Sequence, residues 1–166
     1  MADAIRICRA DYANPLHATA LVQMLDAYAR DPMGGGEGLS AFAKDNLVTE
    51  LARVPGAFSV LAFDGSDDNT PVGLVNCLQG FSTFACKPLI NVHDVAVLPA
   101  YRGRGIAERM FALVEAVARE RGACKLTLEV LSGNAGAMRL YARVGFARYA
   151  LDPAAGEASF MQKWLT

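Results

Sequence analysis

The run Val95-Ala-Val-Leu-Pro-Ala-Tyr-Arg-Gly-Arg-Gly-Ile-Ala107 constrains this chain more than any other segment. An apolar strand enters a turn dense in glycine and arginine, and an amphipathic helix starts at once. Ile106, Met110, Leu113, Val114 and Val117 recur at helical spacing on its inner face, with Glu108, Arg109, Glu115, Arg119 and Glu120 outside. That order sets unpaired backbone N–H groups, a positive helix end and the guanidinium groups of Arg102 and Arg104 at one point in space. A phosphate-bearing ligand is the natural occupant.

The rest of the chain reads around this corner. Ile5 to Arg9 alternates as a first strand. Asn14-Pro15 opens a helix carrying Leu16, Ala20, Leu21, Met24, Leu25 and Tyr28, which the Asp31-Pro-Met-Gly-Gly-Gly36 loop ends. A second helix is expected from about Ser40 to Arg53, stopped by Pro55-Gly56. Strands are expected over Ala57–Phe63 and Val72–Phe81, joined as a hairpin through Asp64-Gly-Ser-Asp-Asp-Asn69. Ile90–Val97 is nearly continuously apolar and reads as a central strand. After the helix closed by Arg121-Gly122, a strand over Lys125–Leu131 and a short helix over Asn134–Val144 follow. Two last strands, Phe146–Leu151 and Ser159–Leu165, complete the pattern. Hairpin links precede strand–helix–strand links, so the fold class is α/β: a mixed sheet with helices on both faces, over a single domain spanning residues 1–166.

Composition narrows the function. The chain is 53% apolar and 20% charged with a net charge of −1, so no basic surface for nucleic acid is expected. No apolar stretch reaches the length needed to span a bilayer, and Met1 to Asp11 lacks a secretory pattern, which points to no membrane association and a cytoplasmic protein. Cys8, Cys77, Cys86 and Cys124 are scattered and form no C-x-x-C pair, so free thiols and no metal site are expected.

Gly103 and Gly105 remove side chains where the backbone must approach a ligand, and the next helix contributes orphan amides and about half a positive charge. Two common nucleotide fingerprints fail: there is no Walker lysine, and Gly103-Arg-Gly105 lacks the third Rossmann glycine. Arg102-Gly-Arg-Gly-Ile-Ala107 instead resembles the Arg/Gln-x-x-Gly-x-Gly/Ala signature of the GNAT superfamily of N-acetyltransferases. Arg102, Gly105 and Ala107 occupy its specified positions. Asn134 and Leu140-Tyr-Ala-Arg-Val-Gly-Phe146 resemble the family's second cofactor-binding segment, in the right order.

The resemblance implies a GNAT fold, a mostly antiparallel sheet whose central parallel pair splays for coenzyme A, and acetyl-CoA as cosubstrate. By resemblance, the diphosphate sits on the amides of Arg102, Gly103, Arg104, Gly105, Ile106 and Ala107. The pantetheine arm pairs with the backbone of Val95, Ala96 and Val97, Asn134 contacts the same arm, and Tyr141 lies beside the sulfur. Read from the residues alone, Asn134 serves equally as a helix cap and Tyr141 as a core side chain. A homodimer is implied as well, and Phe160-Met-Gln-Lys-Trp-Leu165 fits either its interface or an internal strand.

Direct attack by an amine on the acetyl carbonyl poses three problems. A lysine-like amine, with a pKa of about 10.4, must lose a proton. The carbonyl oxygen needs a fixed donor, supplied in the family by a backbone N–H near Val95. The departing thiolate needs a proton, which the Tyr141 hydroxyl can give. His93 is the preferred base, since imidazole titrates near neutrality. Asp94 orients neighbours or attracts the amine, and Glu129 is an outside candidate. In a regular strand His93 and Asp94 face opposite ways, so only one enters the cleft unless a bulge intervenes. Asp31, Glu37 and Asp94 can draw a cationic amine. The leading acceptor is a small diamine or amino-acid-like amine, ahead of a protein amine or an aminoglycoside. The competing readings are a non-catalytic acyl-CoA sensor and an ATP-dependent enzyme.

Overall fold

The computed structural model describes residues 5–66 and 70–165. It divides into two compact units, Met1–Leu128 and Glu129–Thr166. Part of the expected turn, residues 67–69, and the start of the N-terminal segment, residues 1–4, lie outside the described residues.

Among the described residues, the first unit is a five-stranded sheet with three α-helices and a short 3-10 turn, Pro99–Tyr101. Its elements are β1 (Ile5–Arg9), α1 (Pro15–Arg30), α2 (Ala41–Leu51), β2 (Phe58–Asp64), β3 (Thr70–Ser82), β4 (Lys87–Val97), α3 (Ile106–Glu120) and β5 (Leu126–Leu128). The strands lie in the order β1-β2-β3-β4-β5. All neighbours are antiparallel except β4 and β5. The expected hairpin is present, with Asp64 opposite Thr70.

Local chemistry explains the helix boundaries. Asn14 accepts a hydrogen bond from the Leu16 amide at 2.9 Å, with Pro15 in the first helical position. Ser40 caps α2 by accepting from the Ala43 amide at 3.1 Å. α3 ends in a Schellman motif, with the Ala123 amide donating to Ala118 O at 2.9 Å and the Gly122 amide to Arg119 O at 3.0 Å.

The helices cover both faces of the sheet. On one, Leu61, Phe63, Leu74 and Ala96 pack with Ala20, Leu21 and Met24 of α1. Leu61 and Ala62 are adjacent in β2 and so point to opposite faces. On Ala62's side lies Gly73, where an added Cβ would stand 2.9 Å from the Met110 Cε of α3. A side chain at residue 73 would have to displace the end of the Met110 side chain, which packs directly over this glycine.

The second unit holds α4 (Ala135–Arg143) and a short 3-10 turn, Pro153–Ala155. Asn134 caps α4, its Oδ1 accepting from the Ala137 amide at 3.1 Å. The helix ends in a second Schellman motif, closed by the Phe146 amide on Tyr141 O at 2.9 Å. The two rings meet edge to face at 5.9 Å.

Here the structure departs from the sequence reading. The strands expected over Phe146–Leu151 and Ser159–Leu165 do not form, and the strand expected over Lys125–Leu131 shortens to Leu126–Leu128. Ala147 and Ala150 are weak strand formers. Phe160-Met161 and Trp164-Leu165 set apolar residues side by side, so neither face of a strand would be consistently apolar. The parallel pair accordingly lies at the edge of the five-stranded sheet rather than at its centre. Among the described residues, no helix is long and apolar enough to cross a membrane and no acid, histidine and cysteine cluster could hold a metal. The four cysteines are free.

Candidate active site

The glycine-rich corner is a nest of open amides. Gly103 and Gly105 both adopt left-handed backbone, with φ of 76° and 73°. A Cβ built at either meets nothing within 4 Å, so space lies in front of the backbone at both positions. Gly105 is the N-cap of α3 and provides no capping side chain. The first intrahelical bond comes from the Arg109 amide to Gly105 O. Among the described residues, the amides of Gly103, Arg104, Gly105, Ile106 and Ala107 meet no acceptor. The helix dipole adds positive potential at the same place.

Both arginines brace this corner. Arg102 donates through Nε to Val97 O at 2.9 Å and through Nη2 to Asp31 at 3.1 Å. Its own amide bonds to Pro99 O at 3.3 Å. Arg104 lies over the Tyr101 ring at 4.9 Å, and the Tyr101 hydroxyl donates to Asp64 at 2.9 Å. Arg102 thus ties the end of β4 to the loop after α1. Asp31, expected to draw an amine, is committed to Arg102. Its carboxyl is held below the ordinary value by the Met33 amide first and by Arg102 second.

The strand leading into the corner changes partners midway. β4 pairs with β5 only from Ile90 to Val92. From Asp94 to Val97 its pairing, among the described residues, is with β3 alone. The two regimes meet at a bulge: Cys77 opposes Val92 and Asn76 opposes Asp94, which leaves His93 as the extra residue. The bulge reverses the alternation, so Asp94 shares a face with Asn76 and Ala96 while Val92 and Val95 share the other. His93 is exposed.

Asp94 belongs to a hydrogen-bonded series that the sequence reading missed. Its Oδ2 accepts from Asn76 Nδ2 at 3.0 Å. Asn76 Oδ1 accepts from the Ser59 hydroxyl at 2.6 Å, and Ser59 lies 2.9 Å from the Tyr12 hydroxyl. The one available signal was polarity out of place, a Ser in Phe58–Phe63 and an Asn amid Leu74-Val-Asn-Cys-Leu78. Tyr28 of α1 stands within electrostatic reach of Asp94 and Asp31, and burial followed by those two carboxylates raises its phenol. Burial pushes the neighbouring Cys77 thiol up to about 12, so it stays protonated and is no nucleophile.

Of the sequence-derived candidates, His93 to Val97 and Arg102 to Ala107 form one continuous stretch of the first unit. Asn134, Tyr141 and Glu129 belong to the second. There Asn134 is a helix cap, and Tyr141 supplies both a carbonyl and a ring to the end of α4.

Comparison with known proteins agrees with this geometry. A streptothricin acetyltransferase from Streptomyces lavendulae is 40% identical over 86 residues, covering 50% of this chain and 46% of that protein. A thialysine N-epsilon-acetyltransferase from Bos taurus is 41% identical over 56 residues, covering 34% of this chain and 33% of that protein. The matched stretch thus spans less than half of either relative. The fold is shared with the crystal structure of a probable acetyltransferase at a TM-score of 0.78 and 18% identity, covering 97% of this chain and 99% of that one. The model of the acetyltransferase (GNAT) family matches residues 21–146, a span that takes in the corner, the bulged strand and α4, and the chain belongs to that family.

Proposed function

We propose that this protein is an acetyl-CoA-dependent N-acetyltransferase acting on a small cationic amine, with both units serving one catalytic domain. One observation carries the reading: the half of β4 paired on one side only leads, through the Pro99–Tyr101 turn, to the unpartnered amides of Gly103 to Ala107. A strand edge suits the amide-bearing arm of coenzyme A, and a nest of amides on a helix N-terminus suits its diphosphate. Bound there, acetyl-CoA supplies an acetyl group activated as a thioester.

The chain's own groups do the rest. Gly103, Arg104, Gly105, Ile106 and Ala107 hold the diphosphate through their amides, and Arg102 keeps the corner in shape. Val95, Ala96 and Val97 align the arm, and a backbone N–H near Val95 faces the negative charge that develops on the acyl oxygen. Asn134, whose Oδ1 is used in its cap, has Nδ2 left to donate to the arm. His93 and Asp94 are the groups able to take a proton from the amine. The Tyr141 hydroxyl protonates the leaving sulfur.

The acceptor class follows from charge. The C-terminal end of α1 carries the negative pole of its dipole, and Asp94 lies within electrostatic reach of Tyr28 at that end, whereas Asp31 is neutralised by Arg102. Such surroundings favour an ammonium group. The streptothricin and thialysine enzymes are named for small acceptors, which is consistent with a small amine. The family resemblance adds a cytoplasmic homodimer.

Thermal unfolding tests the cosubstrate assignment. Acetyl-CoA at 100 times its dissociation constant is expected to stabilise the fold by about 2.7 kcal/mol, and ATP by much less. Equal stabilisation by ATP, or none by acetyl-CoA, would retire the reading. Released thiol, measured across a panel of diamines, amino acids, aminoglycosides and peptides, then identifies the acceptor.

A further inference from the structure

Ser59 and Asn76 are the buried polar side chains among the described residues, 0% and 5% exposed. Burying them costs free energy unless hydrogen bonds replace the lost water. They sit opposite each other in the β2–β3 ladder, on the sheet face where Leu61, Leu74 and Ala96 meet α1.

Chemistry fixes the direction of every bond between them. An ionised Asp94 only accepts, so Asn76 offers its amide nitrogen there. The other end of that amide is an oxygen that only accepts, so Ser59 donates to it. The Ser59 proton is then spent, and its oxygen takes the Tyr12 proton. Donors therefore point one way, from Tyr12 through Ser59 and Asn76, and end on one carboxylate oxygen. Each donation polarises the next, which strengthens the last bond. An amide does not pass protons along, so the series orients Asp94 rather than draining it.

We propose that Tyr12, Ser59 and Asn76 are positioning residues that hold Asp94 as the acceptor of the substrate's ammonium proton. The proposal rests on the acetyltransferase reading and chooses between the two candidates it left. His93 is the exposed extra residue of the bulge, and among the described residues no hydrogen bond orients its ring. Asp94 is fixed, shares the α1 face, and immediately precedes the singly paired Val95–Val97. The other titratable groups near it are Tyr28 on α1, Cys77 on β3 and His93 on β4. Burial keeps the phenol and the thiol neutral.

In the step assigned here an ammonium N–H bond breaks, its electron pair stays on nitrogen, and the proton moves to the Asp94 carboxylate. As the C–N bond forms and the C–S bond breaks, the Tyr141 hydroxyl gives its proton to sulfur and takes the amine's second proton in exchange. Asp94 then returns its proton to water.

Steady-state kinetics and NMR of the ligand-free protein test this together. Asp94→Asn is expected to lower kcat by about 10²- to 10⁴-fold. Asn76→Leu is expected to lower kcat about 10-fold, leave KM for acetyl-CoA unchanged, and displace the acid limb of the pH–rate profile toward neutrality. Ser59→Ala is expected to act in the same direction and Ser59→Thr, which keeps the hydroxyl, to restore wild-type rates. Tyr12→Phe, the mildest change, guards against loss of folding and is expected to cost about threefold. In the ligand-free protein the Asn76 side-chain amide resonance should move with pH in step with the acid limb, and that movement should vanish in Asp94→Asn. Wild-type kcat and an unmoved acid limb in folded Ser59→Ala or Tyr12→Phe would overturn the proposal, as would a pH-insensitive Asn76 amide. Loss of the acid limb in His93→Ala alone would pass the role to His93. A wild-type protein that binds no acetyl-CoA and acetylates no amine instead removes the underlying acetyltransferase reading.

Discussion

α2 and α3 are held in place by opposite means. α2 buries no residue completely and has a serine cap at its start. α3 buries Ile106, Ala107, Met110, Phe111, Val114, Val117 and Ala118, and its N-cap is a glycine with nothing to offer. A helix start leaves amides that some acceptor must meet, and a capping side chain contributes about 1 kcal/mol by meeting one. α2 depends on that contribution. α3 draws its stability from the core, so its first-turn amides can wait for a ligand. Where packing secures a helix, its end is free for binding.

The comparison breaks most visibly at Gly105. Gly105→Asp puts a carboxylate, and with it a cap, at the proposed diphosphate site. Acetyl-CoA affinity is expected to fall about 100-fold by calorimetry, with a loss of fold stability of about 1 kcal/mol from the left-handed backbone. Unchanged affinity would put the diphosphate elsewhere. Ser40→Ala gives the converse result: about 1 kcal/mol less stability in urea unfolding, with acetyl-CoA affinity unaltered. An affinity loss there would mean that α2 shapes the cosubstrate site directly.

The smallest expected effect concerns the approach to α2. Asp26 accepts from the Leu39 amide at 2.8 Å and pairs with Lys44 and Arg30, each at 3.1 Å. Burial pulls its carboxyl upward, but these three partners outweigh it and bring it down to about 2. A carboxyl lower in the folded than in the unfolded state stabilises fully above its unfolded value of about 3.9. That contribution disappears as pH falls from there to about 2. Asp26→Asn should therefore flatten the acid arm of the stability curve and leave neutral-pH catalysis intact. An unaltered acid arm would show that the loop before Ser40 is secured by other contacts.

Legibility from sequence followed the range of the interactions. The helix starts at Asn14 and Ser40 and the glycine corner were readable because caps, turns and periodicity act over a few neighbouring residues. The corner from Val95 to Ala107 is contiguous, so its motif and its local geometry coincide. The expected strands after Phe146 failed because a strand exists only through its partner, and apolar composition does not supply one. The bulge at His93 depends on the register between β3 and β4, which no local pattern reports. The Tyr12–Ser59–Asn76–Asp94 series draws on four separate segments. Its only trace in sequence was a hydroxyl and an amide embedded in apolar strands.

The extra residue in β4 bends the strand without setting its phase. His93 is surplus to the ladder, so a strand lacking it would still place Val92 opposite Cys77 and Asp94 opposite Asn76, and the faces of Val95, Ala96 and Val97 would not change. What the surplus residue contributes is the local direction of the strand as it approaches the glycine corner.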